Sequence, residues 1–172
     1  QLAAFGALVG YMTKKVGENK YERVDSAVKD YYGDEFTGDT VYLISNIDIG
    51  DYEDANTGLI FHPIGYHYTE DNYGEGTKGD YYSTVSSFEG TFDGQGHKIS
   101  NFYQNTWDTK GDYDGNYYKD AMGLFGYLVG ATVKNLTVDR FTSDGEFTPT
   151  GVIAAYACNS SFENIAITNC NP

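Results

Sequence analysis

A short pattern recurs along this chain and constrains its fold more than any other feature. It reads apolar, any residue, Asn, apolar, any residue and, in most copies, a third apolar residue. The copies are Ile44-Ser45-Asn46-Ile47-Asp48-Ile49, Ile99-Ser100-Asn101-Phe102-Tyr103, Val133-Lys134-Asn135-Leu136-Thr137-Val138 and Phe162-Glu163-Asn164-Ile165-Ala166-Ile167. In the second copy Gln104 stands where the final apolar residue is expected. The steps from Asn101 to Asn135 and from Asn135 to Asn164 are similar in length, and the step from Asn46 to Asn101 is much longer. The two shorter steps read as single repeats, the longest as two repeats or as one with a long insertion. The last two copies also share a lead-in, which reads Gly123-Leu-Phe-Gly-Tyr-Leu and then, one repeat later, Gly151-Val-Ile-Ala-Ala-Tyr.

A period of about 30 residues in strand-and-turn sequence marks a solenoid, in which each repeat packs only on its neighbours. The fold class expected is all-β, a parallel β-helix. Its alternating apolar residues point inward and its asparagines stack in one column, each amide bonding the next or satisfying open backbone groups at a bend. A β-sandwich is the competing all-β reading, but it gives no reason for a repeated Asn.

The chain opens differently. Leu2, Phe5, Leu8, Val9, Met12 and Val16 fall at three- and four-residue steps, one apolar stripe of a helix broken near Gly17. Lys14 and Lys15 occupy its last turn, where cations complement the helix dipole. A second short helix over 21–31 is weakly marked. The expected organisation is an N-terminal α-helical cap region over 1–37 and a β-helix with inserted loops over 38–172, one domain overall. Gln1 leads directly into the amphipathic pattern and no capping pattern follows the final repeat, so a fragment of a larger protein is expected.

Composition narrows the function. With 25 acidic and 11 basic residues the formal charge is −14, and the arginines are Arg23 and Arg140 alone. Such a chain is unsuited to nucleic acid or to an anionic membrane surface, and no apolar run approaches the ~20 residues of a bilayer span. Hydrophobic residues make up 40 % of the chain, enough to build a core rather than a disordered segment. Cys158 and Cys170 match no metal-binding spacing, and both a bonded pair and two reduced thiols are compatible with them.

From Val41 onward the chain resembles the β-helix repeat modules with the GLUG motif found in bacterial surface and adhesin-like proteins. The resemblance rests on Ser45 to Gly50 (SNIDIG), Phe61 to Gly65 (FHPIG), Phe88 to Phe102 (FEGTFDGQGHKISNF) and Gly123 to Val138. The last contains the motif itself, Gly123-Leu124-Phe125-Gly126. The initial helix is similar to one that commonly precedes such modules. The resemblance implies a right-handed parallel β-helix on an extracellular protein, attached to the bacterial surface or secreted, with neighbouring domains of the same protein as partners. It implies no catalytic residues. The final repeat departs from the pattern, with Gly151-Val-Ile-Ala in place of GLFG.

Two insertions, near 66–87 and 104–120, hold eight tyrosines and the single tryptophan. Polar segments of this kind do not fit a narrow solenoid core, so they are expected to project as loops. Tyr-rich loops with Gly, Ser and Asn share the physics of antibody paratopes, and aromatic rings beside carboxylates suit sugar stacking. The candidate ligand-binding residues are Trp107, Tyr113, Tyr117 and Tyr118, then Tyr73, Tyr81 and Tyr82. Asp112, Asp114 and Asn116 alternate as oxygen ligands for Ca²⁺ do, but no Glu closes the loop, and a solvated acidic turn is the simpler reading. In Asp93-Gly94-Gln95-Gly96 the glycines supply positive φ at a tight corner, and no βαβ context supports a dinucleotide loop. His62, His67 and His97 are scattered, and no carboxylate pair stands out for acid–base work. The expected function is therefore non-enzymatic, without cofactor or metal: adhesion to a host protein, an immunoglobulin among the candidates, or to a glycan. A structural spacer is the alternative, and a polysaccharide-degrading β-helix enzyme is a third, weaker reading.

Overall fold

A computed structural model of the chain describes Leu2, Phe5 and residues 13–17, 20–23, 36–50, 63–71, 81–105, 121–144 and 149–172. Short runs of apolar and β-branched residues alternate there with Gly, Asn and Asp, and each run becomes a strand. In chain order these are β1 (Thr13–Gly17), β2 (Lys20–Arg23), β3 (Thr40–Tyr42), β4 (Ile47–Asp48), β5 (Tyr66–Asp71), β6 (Tyr81–Ser86), β7 (Thr91–Asp93), β8 (Lys98–Asn105), β9 (Phe125–Val129), β10 (Thr132–Asp144), β11 (Ala154–Cys158) and β12 (Ser161–Thr168).

The described residues form an all-β structure in which the main sheet is entirely parallel. β10 pairs with β7 and β8 on one side and with β12 on the other, while β3 extends β7 and β4 extends β8. Four levels of strand result. Thr40, Thr91, Thr132 and Ser161 stand in one register column, and Ile47, Ile99, Val138 and Ile167 in another. Ile47 pairs directly with Ile99, so the long first interval is one repeat with an insertion. A second parallel pair, β9 with β11, aligns Phe125 with Ala154.

Burial follows the levels. Phe92, Ile99, Val133, Leu136 and Val138 in the middle are at most 1 % exposed, because strands lie on both sides of them. Phe88 and Phe92 each sit 5.5 Å from Phe125, and Phe102 lies 4.7 Å from Phe141. Such ring pairs add about 0.5–1.5 kcal/mol each beyond their area burial.

Three expectations are corrected. The first is the helix through Val16. Leu2 and Phe5 are helical and pack on the core, but Thr13–Gly17 is a strand, antiparallel to Lys20–Arg23, which also removes the start of the second helix. Branched Thr13 loses side-chain freedom in a helix, and pairing opposite Arg23 of β2 gives the chain a strand there instead.

The second correction concerns the asparagines, which form two columns rather than one. Asn135 and Asn164 share a corner, one residue beyond the pairs Lys134–Asp93 and Lys134–Glu163. Asn101 instead falls level with Arg140 and Asn169 at the next corner, and all five residues have positive φ, between 51° and 57°. Asn46 belongs to neither, and its Oδ1 accepts from the Lys98 N–H at 2.9 Å.

The third lies in Asp93-Gly94-Gln95-Gly96. Gln95 (φ 53°) and Gly96 (φ 77°) are the left-handed residues, and Gly94 is not. Gly94 is required by contact, since a Cβ there would lie 2.5 Å from the Asn135 carbonyl oxygen.

Candidate functional site

The first insertion enters the stack at a definable point. Ile64 bridges to Phe125 and Phe88 bridges to Leu128, so the level below β9 is interrupted between Gly65 and Ser87. The edges of the gap are sealed by Gly126 N–H donating to the Ile64 carbonyl (2.8 Å) and Phe88 N–H donating to that of Tyr127 (3.0 Å). From this gap rises a two-stranded antiparallel ribbon, β5 with β6, paired from Tyr66–Ser86 at its base to Asp71–Tyr81. The projecting loop expected here is thus a ribbon over its described length. Aromatic Tyr81 and Tyr82 and branched Thr84 and Val85 are residue types that favour a strand, and an antiparallel partner satisfies the backbone that a loop would leave to water. At about 3.4 Å per residue, it carries Tyr81 about 17 Å of strand from the base.

Beside that base, Tyr127 of β9 and Tyr156 of β11 pair in register with their rings stacked 4.7 Å apart at 12°. Tyr156 is 43 % exposed, so an aromatic surface is open to solvent next to the ribbon. Composition did not single out this pair. Its signal lay in the two lead-ins, where Met122 stands opposite Thr150 but Phe125 opposite Ala154, so the second lead-in is longer by a single position. That extra position brings Tyr156 opposite Tyr127.

Of the residues nominated from sequence, Tyr82 and Tyr81 lie on β6, where they pair with Glu70 and Asp71. Tyr73, Trp107, Tyr113, Tyr117 and Tyr118 lie outside the described residues, as do Asp112, Asp114 and Asn116. Among the described residues no group of three His, Cys, Asp or Glu side chains is placed to hold a metal ion. Cys158 and Cys170 are both free thiols. His97 is half-buried at a corner, where its N–H donates to the Gly94 carbonyl at 2.7 Å.

The charged groups nearest the core are structural. Asp93 Oδ1 accepts from Asn135 Nδ2 (3.0 Å) and from the Gln95 N–H (2.9 Å), while Lys134 Nζ stands 3.7 Å from Oδ2. Asp139 Oδ1 accepts from Asn169 Nδ2 (2.9 Å) and Thr168 Oγ1 (2.8 Å), with Arg140 Nη1 at 3.1 Å and Lys98 Nζ at 3.7 Å from Oδ2. The hydrogen bond from Asn135 does most to hold Asp93 below its ordinary pKa, and that from Asn169 does the same for Asp139. A third carboxylate, Asp48, accepts from Asn101 Nδ2 at 2.8 Å. Each carboxylate thus bonds an asparagine one level further on, which ties neighbouring levels together at their corners.

Ring faces and strand edges of this kind bind by stacking and by hydrogen bonding. No protein-family model, no curated protein and no solved structure matches this chain.

Proposed function

We propose that the chain winds as a right-handed parallel β-helix of the GLUG type and serves as a non-enzymatic binding module on a bacterial surface protein. The four parallel levels support the winding, and the resemblance carried by Gly123-Leu124-Phe125-Gly126 supports the location. The observation that carries the binding reading is the β5–β6 ribbon, set into one level beside the exposed Tyr127–Tyr156 stack. A ribbon that leaves the pairing on both sides of its insertion point intact contributes nothing the stack needs, whereas it carries Tyr81 and Tyr82 out towards a partner. The ligand is a host protein, with an immunoglobulin as the first choice, or a neutral glycan, because a net charge of −14 repels polyanions.

The corner bonds between levels favour a second reading, a stiff spacer that holds other domains of the same protein away from the cell wall. One experiment separates the two. Purified immunoglobulin is passed over the immobilised chain, and a panel of neutral glycans is screened in parallel. Tyr81→Ala, Tyr82→Ala and Tyr156→Ala are expected to cost about 2 kcal/mol each where they are anchors. Unchanged binding by all three variants removes the ribbon and the Tyr127–Tyr156 stack as the site, and binding to neither ligand class removes the adhesion reading and leaves the spacer.

A further inference from the structure

The two strands of the β5–β6 ribbon leave the stack through roots of different construction. On the β5 side, Pro63, Ile64 and Gly65 are buried, and the Ile64 N–H donates to the Leu124 carbonyl one level above (2.9 Å). On the β6 side the chain is held from above and from below. From above, the Val129 N–H donates to the Phe88 carbonyl at 3.1 Å. From below it meets the segment that leads into β3. Glu89 Oε1 accepts from Ser87 Oγ (2.9 Å), and Oε2 accepts from Thr37 Oγ1 (3.2 Å). Ser87 is buried and directly follows the last residue of β6, so one carboxylate ties the foot of the ribbon to Thr37.

The apolar side of the same contact is a triangle of rings. Phe5 lies 5.3 Å from Phe36 and 5.8 Å from Phe88, and Phe36 lies 6.0 Å from Phe88. The backbones are equally close, since a Cβ at Gly90 would lie 2.5 Å from the Phe36 carbonyl oxygen. Phe36 itself has φ 57°, in the left-handed region that bulky residues seldom adopt. Such a backbone persists only where its surroundings over-determine it, and cases of this kind cluster at functional sites. The sheet does not impose it, because β3 begins to pair with β7 at Thr40, beyond the turn.

We infer that the N-terminal segment is the strut of the ribbon: Phe5, Phe36 and Thr37 are positioning residues that fix its foot through Phe88 and Glu89. A two-stranded ribbon is marginal by itself and depends on what it packs against. Holding it in place beforehand lowers the ordering cost that a partner would otherwise meet on binding. The use of that order for binding rests on the adhesion reading above, whereas the order itself does not.

Backbone-amide NMR relaxation of the ligand-free chain tests the strut. In the parent, the amides of Tyr81–Ser86 are expected to match those of β8 and β10, at order parameters of about 0.85. Glu89→Ala, Thr37→Val and Phe5→Ala are each expected to lower Tyr81–Ser86 below about 0.6 while β8 and β10 keep their value. Glu163→Ala, on β12, leaves the ribbon unchanged. A parent ribbon already below about 0.6 overturns the inference, and so does one that keeps its order in both Thr37→Val and Phe5→Ala. Equal loss of order in β8 and β10 overturns it as well, because the variants would then loosen the core in general. No ligand enters these measurements. An ordered ribbon that binds nothing defeats the adhesion reading alone, and a binding ribbon indifferent to all three variants defeats the strut alone.

Discussion

Gln104 holds Gly123 as a neighbouring peptide group would. Its Oε1 accepts the Gly123 N–H at 2.7 Å, and its Nε2 donates to the Gly123 carbonyl at 3.1 Å. Gln104 occupies the position where the repeat calls for an apolar residue, and it is 7 % exposed. Gln104→Leu restores the pattern but leaves two buried backbone groups unpaired, so a loss of about 2–5 kcal/mol is expected. Urea unfolding measures it, and a variant as stable as the parent would show that the pairing is dispensable.

Acid should loosen the corners in a defined window. Asp93 and Asp139 are held below 3.8 in the folded chain and regain their ordinary value on unfolding. Between the folded and unfolded values the unfolded chain binds more protons, so stability rises with pH there. The contribution is complete above about pH 5 and is lost as pH falls below about 4. Asp139→Asn should flatten this acid limb when urea midpoints are plotted against pH. A limb of unchanged slope would assign the acid sensitivity elsewhere.

Two glycines separate contact from backbone geometry. A Cβ at Gly126 would lie 2.2 Å from the Gly65 carbonyl oxygen, whereas Gly130, at φ +61°, has nothing within 4 Å of its Cβ position. Gly126→Ala should therefore cost about 3 kcal/mol through forced separation of two levels. Gly130→Ala should cost about 1–2 kcal/mol from its left-handed backbone alone. Thermal melting of the pair tests the order, and the reverse ranking would contradict the close approach.

At Asn135, with φ 54°, the usual strand preference should invert. Asn135→Gly keeps the corner and loses the bonds to Asp93 and Asn164, each 3.0 Å, for about 1–2 kcal/mol. Asn135→Ala loses the same bonds and adds about 1 kcal/mol of backbone strain. Chemical denaturation of both variants decides, with the glycine variant expected to be the more stable.

The repeated Asn motif made the parallel, level-by-level pairing legible, but not which corner each copy serves. Asn101 and Asn135 look alike because both corners ask for the same thing, a left-handed residue beside a side chain that points inward. Only the register tells them apart. Thr91 pairs with Thr132 and Lys98 with Thr137, so the register slips between these pairs. The slip arises because the turn from Asp93 to Lys98 is longer than the turn from Lys134 to Thr137. The β5–β6 ribbon was hidden for another reason. Tyr, Ser and Thr suit a solvated strand as well as a loop, and no apolar alternation separates the two along Tyr81–Ser86. At the site, Tyr81 and Tyr82 were visible by composition. Tyr156 became visible only once its partner Tyr127 was found across the sheet.

The gap between Gly65 and Ser87 has a practical meaning. Phe125 and Leu128 anchor its two lips, and the hydrogen bonds from Gly126 and Phe88 close them whatever lies between. The stack therefore behaves as a socket. Natural variation can exchange the inserted segment without renegotiating the core, and a laboratory can graft a recognition hairpin of its own choosing at the same two residues.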